Sequence, residues 1–217
     1  MRAARRLLEH TVNASANGER LPLWGTCMGL QTLSILVAED ASVLLSNAFD
    51  AESLMLPLDL TPAAKTSRFL AASAVPPAVR ASLTTRNVTT NLHHDGVAPA
   101  AFVTNHNLAS FFDVLSTNVD RKGRAFVSTI EGKTVPVYGA QWHPERPQFE
   151  WAIAGAAEDP LNHSPAAIAA MQWVASFFVA EARRNERRFV SAAAEASALI
   201  YNYPLVGTTS YQAYLFP

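Results

Sequence analysis

Thiol chemistry in this chain of 217 residues is limited to one cysteine, Cys27. One thiol cannot close a disulfide within the chain, so the cross-linked scaffolds of small secreted proteins are excluded. Cys27 is a buried inert thiol, a free thiol or a catalytic one, and residue type alone leaves all three open. Charge is sparse and balanced: 17 Lys and Arg stand against 18 Asp and Glu, giving a formal net charge of −1. That balance provides no one-sided field to recruit nucleic acid or an anionic membrane surface. The basic clusters Arg2 to Arg6 and Arg183 to Arg188 are short and lie at expected helix ends, where they read as solvated termini. No apolar run approaches the roughly 18 residues of a membrane span. Met1 to His10 lacks the apolar centre of a leader peptide. His, Cys and acidic residues never gather at metal-ligand spacing, so neither metal nor cofactor is expected.

The composition does supply core material, at 49% hydrophobic residues, which excludes a disordered chain. No internal repeat or low-complexity linker divides the sequence, so 1–217 reads as one domain. Strand-like and helix-like segments alternate, which predicts an α/β fold. A helix is expected over 2–12, followed by a polar turn from Asn13 to Arg20. Leu21-Pro22-Leu23-Trp24 ends at Gly25 as a short buried strand. Leu30, Leu33, Ser34 and Val37 continue from Met28 at helical spacing. Strand-like pieces are expected within 41–60, among them Ser42 to Leu45. Pro76 to Val79 reads as a helix start, and Arg86 to His93 as an extended segment. Arg124 to Ile130 and Val135 to Trp142 read as two strands of a hairpin around Glu131-Gly132-Lys133. Ser164-Pro165 caps and opens a last helix. Ile168, Met171, Ala175 and Phe178 are expected to line its inner face.

Two segments carry chemistry. Gly25-Thr26-Cys27-Met28-Gly29 lies between a strand and a helix, the pattern of a nucleophile elbow with sulfur in place of a serine oxygen. Flanking glycines allow close backbone approach. The helix start favours a thiolate. The Met28 amide faces the place where an oxyanion would form. A purely structural thiol needs none of this. Gln141-Trp142-His143-Pro144-Glu145 is the second segment. A His-x-Glu pair is a weak signal alone and is common on surfaces. Beside an elbow it completes a triad in which Glu145 orients His143, and His143 exchanges a proton with Cys27.

These segments resemble the gamma-glutamyl hydrolases, or folylpolyglutamate hydrolases, of the class I glutamine amidotransferase superfamily. The resemblance runs from about residue 20 to the C-terminus. It rests on Pro22 to Leu30, on Val135 to Glu145, on Phe149-Glu150-Trp151 and on His163-Ser164-Pro165. Phe177 to Arg183 and Ala198-Leu199-Ile200-Tyr201 extend it. It implies a flavodoxin-like sheet with flanking helices, and a cysteine peptidase acting on gamma-linked glutamate tails of folates and antifolates through a thioester. Cys27 would be the nucleophile, His143 the acid and base, and Glu145 the orienting residue. His93, in Asn91-Leu92-His93, would stand on the substrate side, together with Gln31 and Met28. By itself, His93 beside His94 reads as an ordinary loop pair. His10, His106 and His163 read as structural. A lysosomal, vacuolar or extracellular setting and the sequons at Asn13, Asn87 and Asn162 fit the resemblance, and a homodimer is left open.

Two departures matter. Gln31 stands where the family often has an acidic residue and looks more like an amidotransferase position. The family's opening strands and helices and its Pro-Gly-Gly loop find no counterpart in residues 1–20. The sequence is therefore expected to lack the family's N-terminal portion, and the chain alone to be weakly active or inactive. The rival readings are a glutaminase-type subunit that passes ammonia to a synthase, and a non-catalytic remnant.

Overall fold

The computed structural model describes residues 1–151, 161–207 and 212–216. Two compact units are present, Met1–Asn185 and Glu186–Pro217. The first begins with α1 (Arg2–Ala16), β1 (Leu23–Thr26) and α2 (Met28–Ala38). Short strands follow: β2 (Leu44–Leu45), β3 (Ala51–Leu56) and β4 (Asp59–Leu60). Next come α3 (Pro77–Thr85), β5 (Thr89–His93), β6 (Gly96–Val97), α4 (Ala101–Thr104) and α5 (His106–Phe111). Three strands, β7 (Phe112–Val119), β8 (Ala125–Gly132) and β9 (Val137–Ala140), lead to the long helix α6 (Pro165–Ala182).

The main sheet has the order β1-β9-β8-β7-β4. Only β1 and β9 run parallel; β8 is antiparallel to β9 and β7, and β4 is antiparallel to β7. The α/β reading holds, as a mixed sheet. The expected hairpin is β8–β9, with Glu131 opposite Tyr138.

Strand periodicity divides the core. Along β9, Tyr138 and Ala140 enter one cluster with Trp142, Phe69, Met171 and Val174. Val137 points the other way, into a cluster with Leu30, Leu33, Ile130 and Leu108. Successive side chains of a strand alternate faces, so the sheet carries helices on both sides: α6 and α3 on one, α1, α2 and α5 on the other. All four residues of β9 are buried, as expected for a strand covered on both faces.

Several elements differ from expectation for identifiable reasons. α1 runs to Ala16, because Ala14 continues the buried stripe of Leu8 and Thr11. It stops where Gly18 takes φ +74°, a left-handed value that glycine adopts without a Cβ penalty. Within 41–60, Ala41–Val43 is a 3₁₀ turn rather than a strand, held by the Asp40 carboxylate accepting from Ser42 N–H at 2.8 Å. In α6 the Ser164 hydroxyl caps the Ala167 N–H at 3.3 Å, as expected. Its buried face, however, is Ala167, Ala170, Met171 and Val174, whereas Ala175 is exposed. The buried stripe is thus rotated by about one residue from the expected one.

α6 also spans 18 residues at mean hydropathy 1.3, so by length and composition it is apolar enough to cross a membrane. Only one stripe of that apolar surface, Ala167, Ala170, Met171 and Val174, is buried in the core. Near its end, buried Glu181 accepts from Tyr138 Oη at 2.7 Å, from Arg184 at 3.0 Å and from Arg20. These bonds tie α6 to β9. A buried carboxylate requires such partners.

The second unit contains α7 (Ala192–Ser197), a 3₁₀ turn at Ile200–Asn202, and the antiparallel pair β10 (Leu205–Gly207) and β11 (Gln212–Tyr214). Ser191 caps α7 through the Ala194 N–H at 3.1 Å.

Candidate active site

β1 and β9 pair in parallel register, Gly25 with Gly139 and Thr26 with Ala140. Both strands therefore end at the same edge of the sheet, and the residues that follow them are neighbours. The Cys27 N–H still donates to the Ala140 carbonyl at 2.7 Å. Cys27 then turns sharply, with φ 51° and ψ −106°, and caps the start of α2. A residue with a side chain held at positive φ costs roughly 1–3 kcal/mol, strain that functional sites commonly store.

The two glycines of the elbow are not equivalent. A Cβ on Gly25 would lie 2.6 Å from the Gly29 carbonyl carbon and 2.8 Å from Leu33 Cδ1. Gly25 must therefore remain glycine for α2 to pack on β1. A Cβ on Gly29 would meet nothing within 4 Å. Its expected role in close backbone approach is thus corrected: Gly29 leaves open space over the first turn of α2. Met28 starts that turn with its side chain 72% exposed. Its amide is among the first-turn N–H groups that have no acceptor within a helix.

His143 is mostly covered, with 12% side-chain exposure, and Glu145 is half exposed. His143 Nδ1 meets Glu145 Oε1 at 2.6 Å, which leaves Nε2 for Cys27. The His143 N–H donates to the Thr90 carbonyl at 2.9 Å, anchoring this loop on β5. Burial alone would pull the imidazole pKa down. Hydrogen bonds to Cys27 and Glu145, and the charges of both, outweigh it and lift His143 to about 9. Burial likewise pushes Glu145 up, but the hydrogen bond and charge of His143 dominate and hold it below the usual carboxylate range.

His93 ends β5 at 5% exposure, edge-on to Phe126 with centroids 4.8 Å apart. Its Nδ1 lies 2.9 Å from the Asp95 carbonyl. A carbonyl only accepts, so Nδ1 carries the proton and Nε2 is an acceptor. Among the described residues, Nε2 has no hydrogen-bond partner and is buried. Burial is the main reason the pKa falls to about 4; the Asp95 carbonyl offsets part of it, the charges of His143 and His94 add to the fall, and the Asp95 charge opposes it.

Gln31 is buried, and its Nε2 donates to the Asp95 carbonyl at 2.9 Å and to Gln141 Oε1 at 3.2 Å. Both its amide protons point into the protein. Gln141 Nε2 in turn lies 3.5 Å from Cys27 Sγ. No local pattern gives Gln141 a role in the sequence; its full burial beside the Cys27 thiol is a tertiary fact. His163 Nδ1 donates to the Pro147 carbonyl at 2.8 Å and its ring stacks on Trp151 at 3.8 Å, so it braces the loop beyond Glu145. His10 and His106 are exposed on α1 and α5. Among the described residues, no group of His, Cys, Asp and Glu could hold a metal.

The family model for Glutamine amidotransferase class-I matches residues 4–148, which contain the elbow, His143 and Glu145. The chain belongs to this family. Among curated relatives, "Gamma-glutamyl hydrolase" of Mus musculus is 35% identical over 219 residues, covering 99% of this chain and 66% of that protein. "Gamma-glutamyl hydrolase B" of Dictyostelium discoideum is 37% identical, covering 90% of this chain and 54% of that protein. "Gamma-glutamyl hydrolase" of Homo sapiens is 35% identical, covering 95% and 63%. The chain thus spans between about half and two thirds of the length of these relatives.

Proposed function

We propose that this chain hydrolyses gamma-glutamyl bonds in the polyglutamate tails of folates and antifolates, with Cys27, His143 and Glu145 as its triad. The arrangement of an elbow sulfur, a cationic imidazole and a carboxylate at 2.6 Å carries the chemistry. The gamma-glutamyl bond is supported by the names of the similar proteins, and the folate tail by the family resemblance of the two motif segments.

In this reading His143 takes the proton of Cys27 and Sγ attacks the gamma-carbonyl carbon. The Met28 amide and the positive end of α2 receive the charge that develops on oxygen. Collapse breaks the C–N bond, and the His143 proton leaves with the amine. A water molecule then attacks the thioester carbon and gives a proton to His143, and the C–S bond breaks, so that the gamma-carboxylate leaves and the Cys27 sulfur is freed with its electron pair. Glu145 keeps the imidazole in the tautomer and orientation that both steps require. His93, neutral and with an unpaired Nε2 lone pair, offers an acceptor to a substrate N–H.

The test is to incubate the purified protein with a pteroyl-polyglutamate and, separately, with free glutamine, alongside Cys27→Ala. The expected outcome is release of glutamate or glutamyl peptides from the polyglutamate, absent in the variant, with no ammonia from glutamine. Ammonia release from glutamine alone would replace this reading with a glutaminase. Polyglutamate cleavage unchanged in Cys27→Ala would remove the triad.

A further inference from the structure

The nucleophile has a second polar neighbour besides His143. Gln141 is fully buried and presents Nε2 to Cys27 Sγ across 114 residues of sequence. An amide can turn either end toward a partner, and only an amine end can donate to sulfur. What sets that direction lies two links away. The Asp95 backbone carbonyl has lone pairs and no proton. Gln31 must therefore face it with Nε2, and the same nitrogen's second proton points to Gln141. Gln141 can meet that donor only with Oε1, which turns its own Nε2 toward Cys27. Reversing either amide would set two donors or two acceptors against each other in a buried space, which costs far more than a normal hydrogen bond returns.

The same carbonyl also accepts from His93 Nδ1. One backbone oxygen thus sets the polarity of two groups at once, the acceptor nitrogen of His93 and the donor that faces the nucleophile.

We propose that Gln141 is a hydrogen-bond donor to the Cys27 sulfur, and that Gln31 is a positioning residue that holds the Gln141 amide in its donating orientation through the Asp95 carbonyl. The inference rests on Cys27 being the nucleophile, but not on the identity of the substrate. A donor to sulfur favours the anionic form over the neutral thiol, because the bond to the charged group is the stronger of the two.

The experiment follows iodoacetamide alkylation of Cys27 against pH, which needs no substrate. At pH 6.5, Gln141→Met is expected to react about tenfold more slowly than the unmodified protein and to reach the same limiting rate at high pH. Gln31→Met should slow alkylation about threefold at pH 6.5, since its loss frees the Gln141 amide to turn without removing it. A role confined to packing would alter thermal stability and leave the alkylation profile unmoved. A Gln141→Met profile superimposable on that of the unmodified protein would overturn the proposal.

Should Gln141→Met not fold, the unmodified protein still decides. The side-chain NH₂ resonances of Gln141 must shift over the pH interval in which Cys27 becomes reactive, and fixed resonances would overturn the proposal. Failure of polyglutamate cleavage with the alkylation results intact would instead fall on the proposed substrate alone.

Discussion

The segments around His93 and His143 bring a buried and a half-buried imidazole to one site and leave them in opposite states. His93 is held neutral, with its pKa near 4, and His143 is held cationic, with its pKa near 9. Burial acts in the same direction on both. The difference lies in the balance of partners: for His93 the Asp95 carbonyl and the Asp95 charge oppose burial and two competing imidazoles without overcoming them, whereas His143 has hydrogen bonds to both a carboxylate and a sulfur. Burial by itself therefore does not decide whether a histidine is charged; the sign of its nearest partners does.

The largest way to break this contrast is to remove the cation. His143→Ala should lower kcat for polyglutamate cleavage about 10⁴-fold with KM little changed, read by steady-state kinetics. Acid stability sharpens the contrast next. A histidine whose folded pKa is depressed stabilises the fold above its unfolded value and loses that contribution as pH falls. His93 should thus cost stability between pH 6.5 and about 4, by on the order of 3 kcal/mol. His93→Gln should flatten that part of the curve in denaturant titrations. His143 has the opposite sign: its contribution is complete below about 6.5 and is lost as pH rises through about 9.

A third comparison removes only the carboxylate. Glu145→Gln should reduce kcat about 10²-fold and move the high-pH limb of the rate profile to lower pH, because the imidazolium loses its anionic partner. The smallest effect is expected on the neutral side. His93→Gln keeps an acceptor and should raise KM about tenfold while leaving kcat within a factor of a few. A fall in kcat as deep as that of His143→Ala would mean that His93 moves a proton, and the contrast between the two segments would collapse.

Much of the local structure around Cys27 is legible in the sequence alone. Gly25, Cys27 and the stripe from Leu30 to Val37 mark a strand, an elbow and a helix because close approach and helical periodicity each demand particular residues locally. Ser164-Pro165 marked the start of α6 for a similar local reason. The phase of α6 was read one residue out, since Ala175 and Ala170 are equally apolar and only the sheet surface selects between them. β7 carried no readable signal, because Asp113, Ser116, Thr117 and Asn118 interrupt its apolar pattern. Asn118 Nδ2 donates to the Pro57 carbonyl, and Ser116 donates to Thr129 at 2.8 Å, partners far away in sequence. Gly29 was assigned the task that Gly25 alone performs, for the spacing looks the same from both ends.

The sequence by itself determined where the one thiol sits, between a strand and a helix, and where the His-x-Glu pair follows a strand. These follow from residue type and short-range geometry. Only the tertiary structure decided that β1 and β9 end together, which histidine is charged and which is neutral, and which way the Gln141 amide faces. Each of those depends on partners brought from distant positions, above all the lone carbonyl of Asp95, whose identity as an acceptor is common to every residue and therefore invisible in a string of side chains.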